Sequence, residues 1–415
     1  MNILILTIGT RGDVQPFLAL SLALQARGHS VTLAAPPDAR AFVESRGVAY
    51  RALGTDMAEL LSRSGIAGNV GPVHLLRFLS LRRRYAAELF RKAGRDVLDL
   101  LPGADLVVYK TPLLIAGLLA DSMGIPGIEA GFVPLLPTRR NTGILFSGRN
   151  LGAPANWILS SLVSAGVRSG TKRRLKELRR GNPGLVPHAR RRKDAPLLYA
   201  FSPVVYERPS DWGGNVHLTG YWFLPPDPKW KPPGDLSAFL DSGDKPVYFG
   251  FGSMPNRSPE RVMAMIREVL ARLGARGIVN RGWAGLAEGE DGLPDLFFVD
   301  DVPHEWLFPR VSVAVHHGGA GTTAAALRAG IPSVIVPHLG DQPMWGRILH
   351  ELGASARSIP ADKLNVNRLE RALREALEDG RMGGSSRDLA RFLSAEDGVG
   401  NAVRVIEECA LGAIP

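Results

Sequence analysis

The chain has 415 residues, 45% of them hydrophobic and 22% charged, with a net charge of +10. That length allows two domains with a core each, and the composition is that of a soluble globular protein rather than a disordered one. The single cysteine, Cys409, excludes a disulfide framework or a cysteine-based zinc site, and no stretch reaches the ~18 uninterrupted apolar residues of a membrane span.

MNILILTIGT reads as a first strand rather than a signal peptide, because it lacks a basic start and is broken early by Gly9. A cytoplasmic location is therefore expected. ILILTIG leads through TRGDVQP into the helix FLALSLALQARG and then the strand HSVTLAAP. ADLVVYK, LLIAGLLADSMG and IPGIEA repeat the unit, and LLYAFS (197–202) reads as its last strand. Such alternation predicts a parallel sheet covered by helices on both faces. Residues 221–234, YWFLPPDPKWKPPG, hold five prolines and read as a linker. A second α/β half begins at PVYFGFGSM and runs to IPSVIVP. The expected organisation is a first domain over 1–215, a linker over 216–234, a second domain over 235–385, and a helical segment over 386–415 that packs back toward the first. Two such halves imply a cleft, with ligands at the carboxyl ends of the strands.

The charge is uneven. Val163 to Lys193 holds eleven Lys or Arg against one acid, Glu177, and Arg82, Arg83, Arg84, Arg91 and Lys92 form a smaller cluster. A solvated basic surface and contact with an anionic membrane or acidic substrate both fit. Nucleic acid is not expected, because no nucleic-acid motif accompanies the charge.

Val311 to Gln342 reads as strand, glycine-rich turn (HHGGAGTT), helix, strand and polar tip. A helix N-terminus just after a glycine turn carries unpaired N–H groups and a partial positive charge, which suits a phosphate.

GTRGDVQP near the start, FGSM at 251–254, RGWAGL at 281–286, HHGGAGTT at 316–323 and PHLGDQP at 337–343 together resemble the GT-B glycosyltransferases of family 1. The likeness is to bacterial enzymes that glycosylate antibiotic aglycones and to sterol glucosyltransferases. The resemblance implies a GT-B fold, two Rossmann-like domains whose parallel sheets face each other across a cleft. It also implies inverting transfer of a hexose from a UDP- or dTDP-sugar to a hydroxyl of a lipophilic acceptor.

In that family the positions of His317, Gly319, Gly321 and Thr322 cradle the donor pyrophosphate. Ser253 matches a residue reaching the phosphates from the other side of the cleft, and it also fits a plain turn serine. Asp341 and Gln342 match the pair that grips the donor hexose, Asp341 being equally suited to cap the next helix. Asp301 stands where plant members carry a base-stacking Trp, so Trp283 and the backbone of Val302 are the candidates for the base, with Trp283 as plain packing equally open. Asp13 matches the catalytic base, and a helix cap is the alternative. Lys110 occupies the position of the plant enzymes' second Asp, so no acid–base dyad is expected. The apolar acceptor side is expected from His74, Phe132, Phe146 and Trp157, any of which also fits a core. With no DxD motif, neither a metal nor another cofactor is expected, and Glu370 with Glu378 is a chance spacing on a charged helix. The alternatives are a membrane-associated sterol or lipid glycosyltransferase and a silent nucleotide-sugar-binding regulator.

Overall fold

The computed structural model describes residues 1–54, 92–181, 194–251, 259–282, 294–338 and 340–412. The first half builds a seven-stranded parallel sheet from β1 (Asn2–Leu6), β2 (Ser30–Ala35), β3 (Ala49–Ala52), β4 (Leu106–Lys110), β5 (Gly127–Gly131), β6 (Leu197–Tyr199) and β7 (Val216–Leu218), in the order β3-β2-β1-β4-β5-β6-β7. The second half builds a five-stranded parallel sheet from β8 (Val247–Gly250), β9 (Gly277–Asn280), β10 (Leu296–Val299), β11 (Val313–His316) and β12 (Ser333–Ile335), in the order β10-β9-β8-β11-β12.

The unbroken apolar strands follow from this burial. In β1, Ile3 and Ile5 enter one core with Phe17 and Leu20 of the Arg11–Ala26 helix. Leu4 and Leu6 enter another on the opposite face, with Ile115 and Leu119. In the second sheet Phe249 and Val315 point to one core while Tyr248 and Ala314 point to the other. A strand covered on both sides has no polar face to display.

Two expectations are corrected. LLYAFS is not the last strand of the first half, because Val216–Leu218, taken from the expected linker, pairs in parallel beside it (Leu197 with Val216). Residues 219–233, which carry the prolines, have no regular strand or helix. Position 386 lies inside the Gly380–Ala395 helix, which packs on the Ala320–Ala329 helix of the second half. The helix that returns to the first half is Gly398–Ala410, whose Ala402, Val403, Ile406 and Cys409 complete the core around Phe17 and Trp222.

The halves also share a core. Tyr199, Phe201 and Tyr206 cluster with Trp345, Leu349 and Leu393, and the Phe201 and Trp345 rings lie edge to face at 5.8 Å.

Candidate active site

Each sheet reverses its winding once, between β1 and β4 in the first and between β8 and β11 in the second. A doubly wound sheet opens a crevice at the carboxyl side of that reversal. Asp13 lies beyond β1 and Lys110 ends β4, while Gly250 ends β8 and His317 follows β11. The local sequences thus deliver the candidate groups to the two crevices.

Asp13 sits in the first turn of the Arg11–Ala26 helix, where Oδ2 accepts from the Thr10 backbone N–H at 2.9 Å. The cap alternative is therefore realised, and it fixes the carboxylate rather than consuming it. Oδ1 receives the Lys110 ammonium, which also donates to the Ile8 carbonyl at 2.8 Å. Gly9 has φ +128°, and a Cβ there would overlap the Asp13 carboxylate. Only glycine lets this loop close over the acid.

On the facing side the Ala320–Ala329 helix opens at Gly319, and its first internal bond runs from Thr323 N to Gly319 O at 3.0 Å. Ala320, Gly321 and Thr322 supply the N–H groups that an α-helix leaves without internal partners, with the positive end of the dipole behind them. Gly318 has φ +85°, and a Cβ there would meet Ile335 Cγ2 at 2.7 Å. Nε2 of His317 lies against Gly319, at the mouth of the helix. Burial, with His338 and His304 nearby, lowers the His317 pKa to about 4, the Gly250 backbone pulling the other way. This imidazole is neutral at pH 7, and its Nδ1 is buried without a well-formed hydrogen bond. His316 is different. It is buried, accepts from Gly318 N at 3.1 Å and faces Ser333 Oγ at 3.3 Å, so it holds the turn together.

Asp341 stands at the N-cap position of the Gln342–Glu351 helix, but its side chain makes no cap hydrogen bond; its Oδ2 instead accepts from Trp345 Nε1 at 2.8 Å. Burial pushes its pKa up to about 6; the Trp345 bond opposes that, the Asp13 charge adds to it and the Lys110 charge opposes it. The acid of the first crevice and that of the second therefore feel one another across the cleft. Gln342 is buried, and its Oε1 accepts from His338 N at 2.8 Å, which sets the direction of the amide. Trp345 was missed in the sequence, although its position four residues after Asp341 places it on the same helix face.

Arg11 ion-pairs with Asp301 across the cleft, so Asp301 does not fill the role of a stacking ring. Both partners are exposed, which limits the pair to roughly 0–1 kcal/mol. Val302 is partly buried against the second-half core. Phe132 lies near the site, its ring 5.3 Å from Phe17 and its centroid 6.0 Å from Lys110 Nζ. Phe146 and Trp157 are largely exposed. Phe146, Ser147 and Gly148 are all left-handed, and Arg347 holds this loop by donating to the Ser147 and Gly148 carbonyls at 2.8 and 2.5 Å. Ser253, Trp283 and His74 lie outside the described residues. Glu370 pairs with Arg272 and Arg374 on the surface, away from both crevices. A cavity of about 680 Å³ lies behind the first-half core, between Ala19, Tyr221 and Val403, and contains none of the candidate residues.

Residues 3–104 match the glycosyltransferase family 28 N-terminal domain, and residues 270–406 match the erythromycin biosynthesis protein CIII-like C-terminal domain. The chain is 34% identical to sterol 3-beta-glucosyltransferase UGT80A2 of Arabidopsis thaliana, over 97% of this chain and 65% of that protein, so it spans about two thirds of that relative's length. It is 35% identical to O-mycaminosyltylonolide 6-deoxyallosyltransferase of Streptomyces fradiae, over 99% of this chain and 98% of that protein. Its fold is shared with the glycosyltransferase SsfS6 of Streptomyces sp. SF2575 complexed with thymidine diphosphate, at a TM-score of 0.68 and 23% identity over 98% of this chain and 99% of that one.

Proposed function

Because the chain belongs to the GT-B glycosyltransferases of family 1, we propose that it moves a hexose from a nucleoside diphosphate sugar to a hydroxyl of a lipophilic small molecule, with inversion. One observation carries the reading: a fixed carboxylate, Asp13, faces Asp341 and a neutral histidine at a helix N-terminus across one cleft.

The donor diphosphate lies on the N–H groups of Ala320, Gly321 and Thr322, with His317 donating from the side. Gly319 lets the backbone approach, and Ser253 is assigned to the phosphates on the resemblance alone. Asp341 and Gln342 hold the sugar hydroxyls, while the base falls to Val302 and, on the resemblance alone, Trp283. The acceptor oxygen attacks the anomeric carbon from the Asp13 side. Its proton passes to the Asp13 carboxylate as the bond from carbon to phosphate oxygen breaks. The electron pair leaves on the diphosphate, and the helix dipole and His317 stabilise that charge as it develops. Lys110 keeps Asp13 in place by tying its carboxylate to the Ile8 carbonyl. The helix and His317 stand in for a cation, so EDTA should leave the rate unchanged. Phe132, beside Lys110, is proposed for the acceptor side, and His74 is proposed for the same role on the resemblance alone. The relatives named above act on a sterol and on a macrolide, which fits a flat or extended apolar acceptor.

The test is a thermal-shift screen of UDP- and dTDP-sugars, followed by mass-spectrometric detection of product on a panel of sterols and macrolide aglycones. Asp13→Asn should keep the donor shift and lose product, while His317→Ala should lose both. Full transfer by Asp13→Asn would refute the assigned base, and a donor shift without product on any acceptor would favour a regulator.

A further inference from the structure

The Ala153–Gly181 helix buries one stripe and leaves the opposite one in solvent. Asn156, Ser160, Thr171, Leu175 and Leu178 are on the buried side. The outward stripe begins with large apolar side chains: Trp157 is 45% exposed, Ile158 58% and Leu162 61%. Leu151 and Phe146, just before the helix, are also exposed. Farther along, the same stripe turns cationic, with Arg168, Lys172, Arg173, Lys176 and Arg180 all exposed. At roughly 100° per residue, Ile158, Leu162, Lys172, Lys176 and Arg180 fall within about 80° of one another on the helix, so these side chains share one face. Glu177 is the acid among them, and it pairs with Arg173 at 3.5 Å.

We propose that this face docks on an anionic lipid bilayer, the apolar end entering the interface and the cationic end lying on the headgroups. Trp with aliphatic neighbours suits the headgroup–acyl boundary, and the clustered cations suit anionic lipid. A second copy of the chain is a poor occupant, since two such faces would bring their cations together. The placement also has a functional sense. The stripe starts beside the Phe146–Gly148 loop, which Arg347 ties to the Gln342–Glu351 helix, at whose N-terminus Asp341 stands. Docking there sets the cleft at the membrane surface, where a lipophilic acceptor partitions. That last clause rests on the transfer reading, whereas docking does not.

The experiment is co-sedimentation of the full chain at low salt with vesicles of equal parts phosphatidylglycerol and phosphatidylcholine, and with phosphatidylcholine alone. Wild type should sediment with the anionic vesicles and stay in solution with the neutral ones. Lys172→Glu/Lys176→Glu should lower the partition coefficient at least tenfold, each lost cation counting for about fivefold. Ile158→Ser/Leu162→Ser should also weaken binding, and both variants should keep the wild-type melting temperature because the changed side chains are exposed. Wild type remaining in solution with both vesicles would overturn the proposal. So would binding that neither double variant reduces, or an Ile158→Ser/Leu162→Ser variant that changes only the oligomeric state in gel filtration. Donor thermal shift and soluble-acceptor turnover, measured in parallel, report on the transfer reading separately.

Discussion

Asp341→Asn should stabilise the protein at neutral pH and, on the proposed role of Asp341 in holding the donor sugar, weaken donor binding. Burial raises this carboxyl from an ordinary value of 3.8 to about 6, so at pH 7 the folded state carries an anion it would rather hold protonated. That difference is worth about 3 kcal/mol at most. The amide that replaces it can still accept from Trp345 Nε1 but stays partly buried, so a gain of about 1–3 kcal/mol is expected. The folded protein binds this proton more tightly than the unfolded chain. The stability it contributes is fully present below pH 3.8 and is lost as pH rises through about 6. Melting curves of wild type and Asp341→Asn should therefore coincide near pH 4 and separate by pH 7. The expected separation is about 2–4 °C for each kcal/mol, if one domain melts as a unit. Isothermal titration of the same two proteins with a nucleoside diphosphate sugar should show the loss of affinity. A variant no more stable than wild type at pH 7, or a gap that does not close toward pH 4, would refute the burial argument.

The cross-cleft coupling has its own signature. Asp13→Asn removes a charge that raises Asp341, and Lys110→Met removes one that lowers it. The pH at which stability is lost, read from melting curves, should thus move down in the first variant and up in the second. No movement in either would mean the crevices do not face each other in solution. Gly318→Ala puts a Cβ 2.7 Å from Ile335 Cγ2 at φ +85°, and should cost about 2 kcal/mol or more in denaturant unfolding and weaken nucleotide binding. Arg347→Ala frees two carbonyls of a loop whose Phe146 and Ser147 sit at positive φ. Limited proteolysis should then cut at 143–148 faster than in wild type, and an unchanged cleavage rate would argue against that clamp.

The sequence by itself determined the alternation of buried strands and helices, because an unbroken apolar strand fits only a sheet covered on both faces. It also determined the glycine turn at 318–321 and placed Asp13, His317, Asp341 and Gln342 at the carboxyl ends of strands. Short-range patterns carry such features, since glycine spacing and apolar runs act on the backbone nearby. Long-range pairing decided the rest. VHL at 216–218 is too short to announce a strand, and it becomes one only because β6 offers an open edge. Position 386 looked like a boundary, yet the helix through it belongs to the second half and the next one to the first. The meeting of Lys110 with Asp13 spans 97 residues, and the rise of the Asp341 pKa needs burial by elements from the rest of the chain. The fold also shows what His316 does: Ser333, on the neighbouring strand, takes its ring inward, while His317 stays at the mouth of the helix.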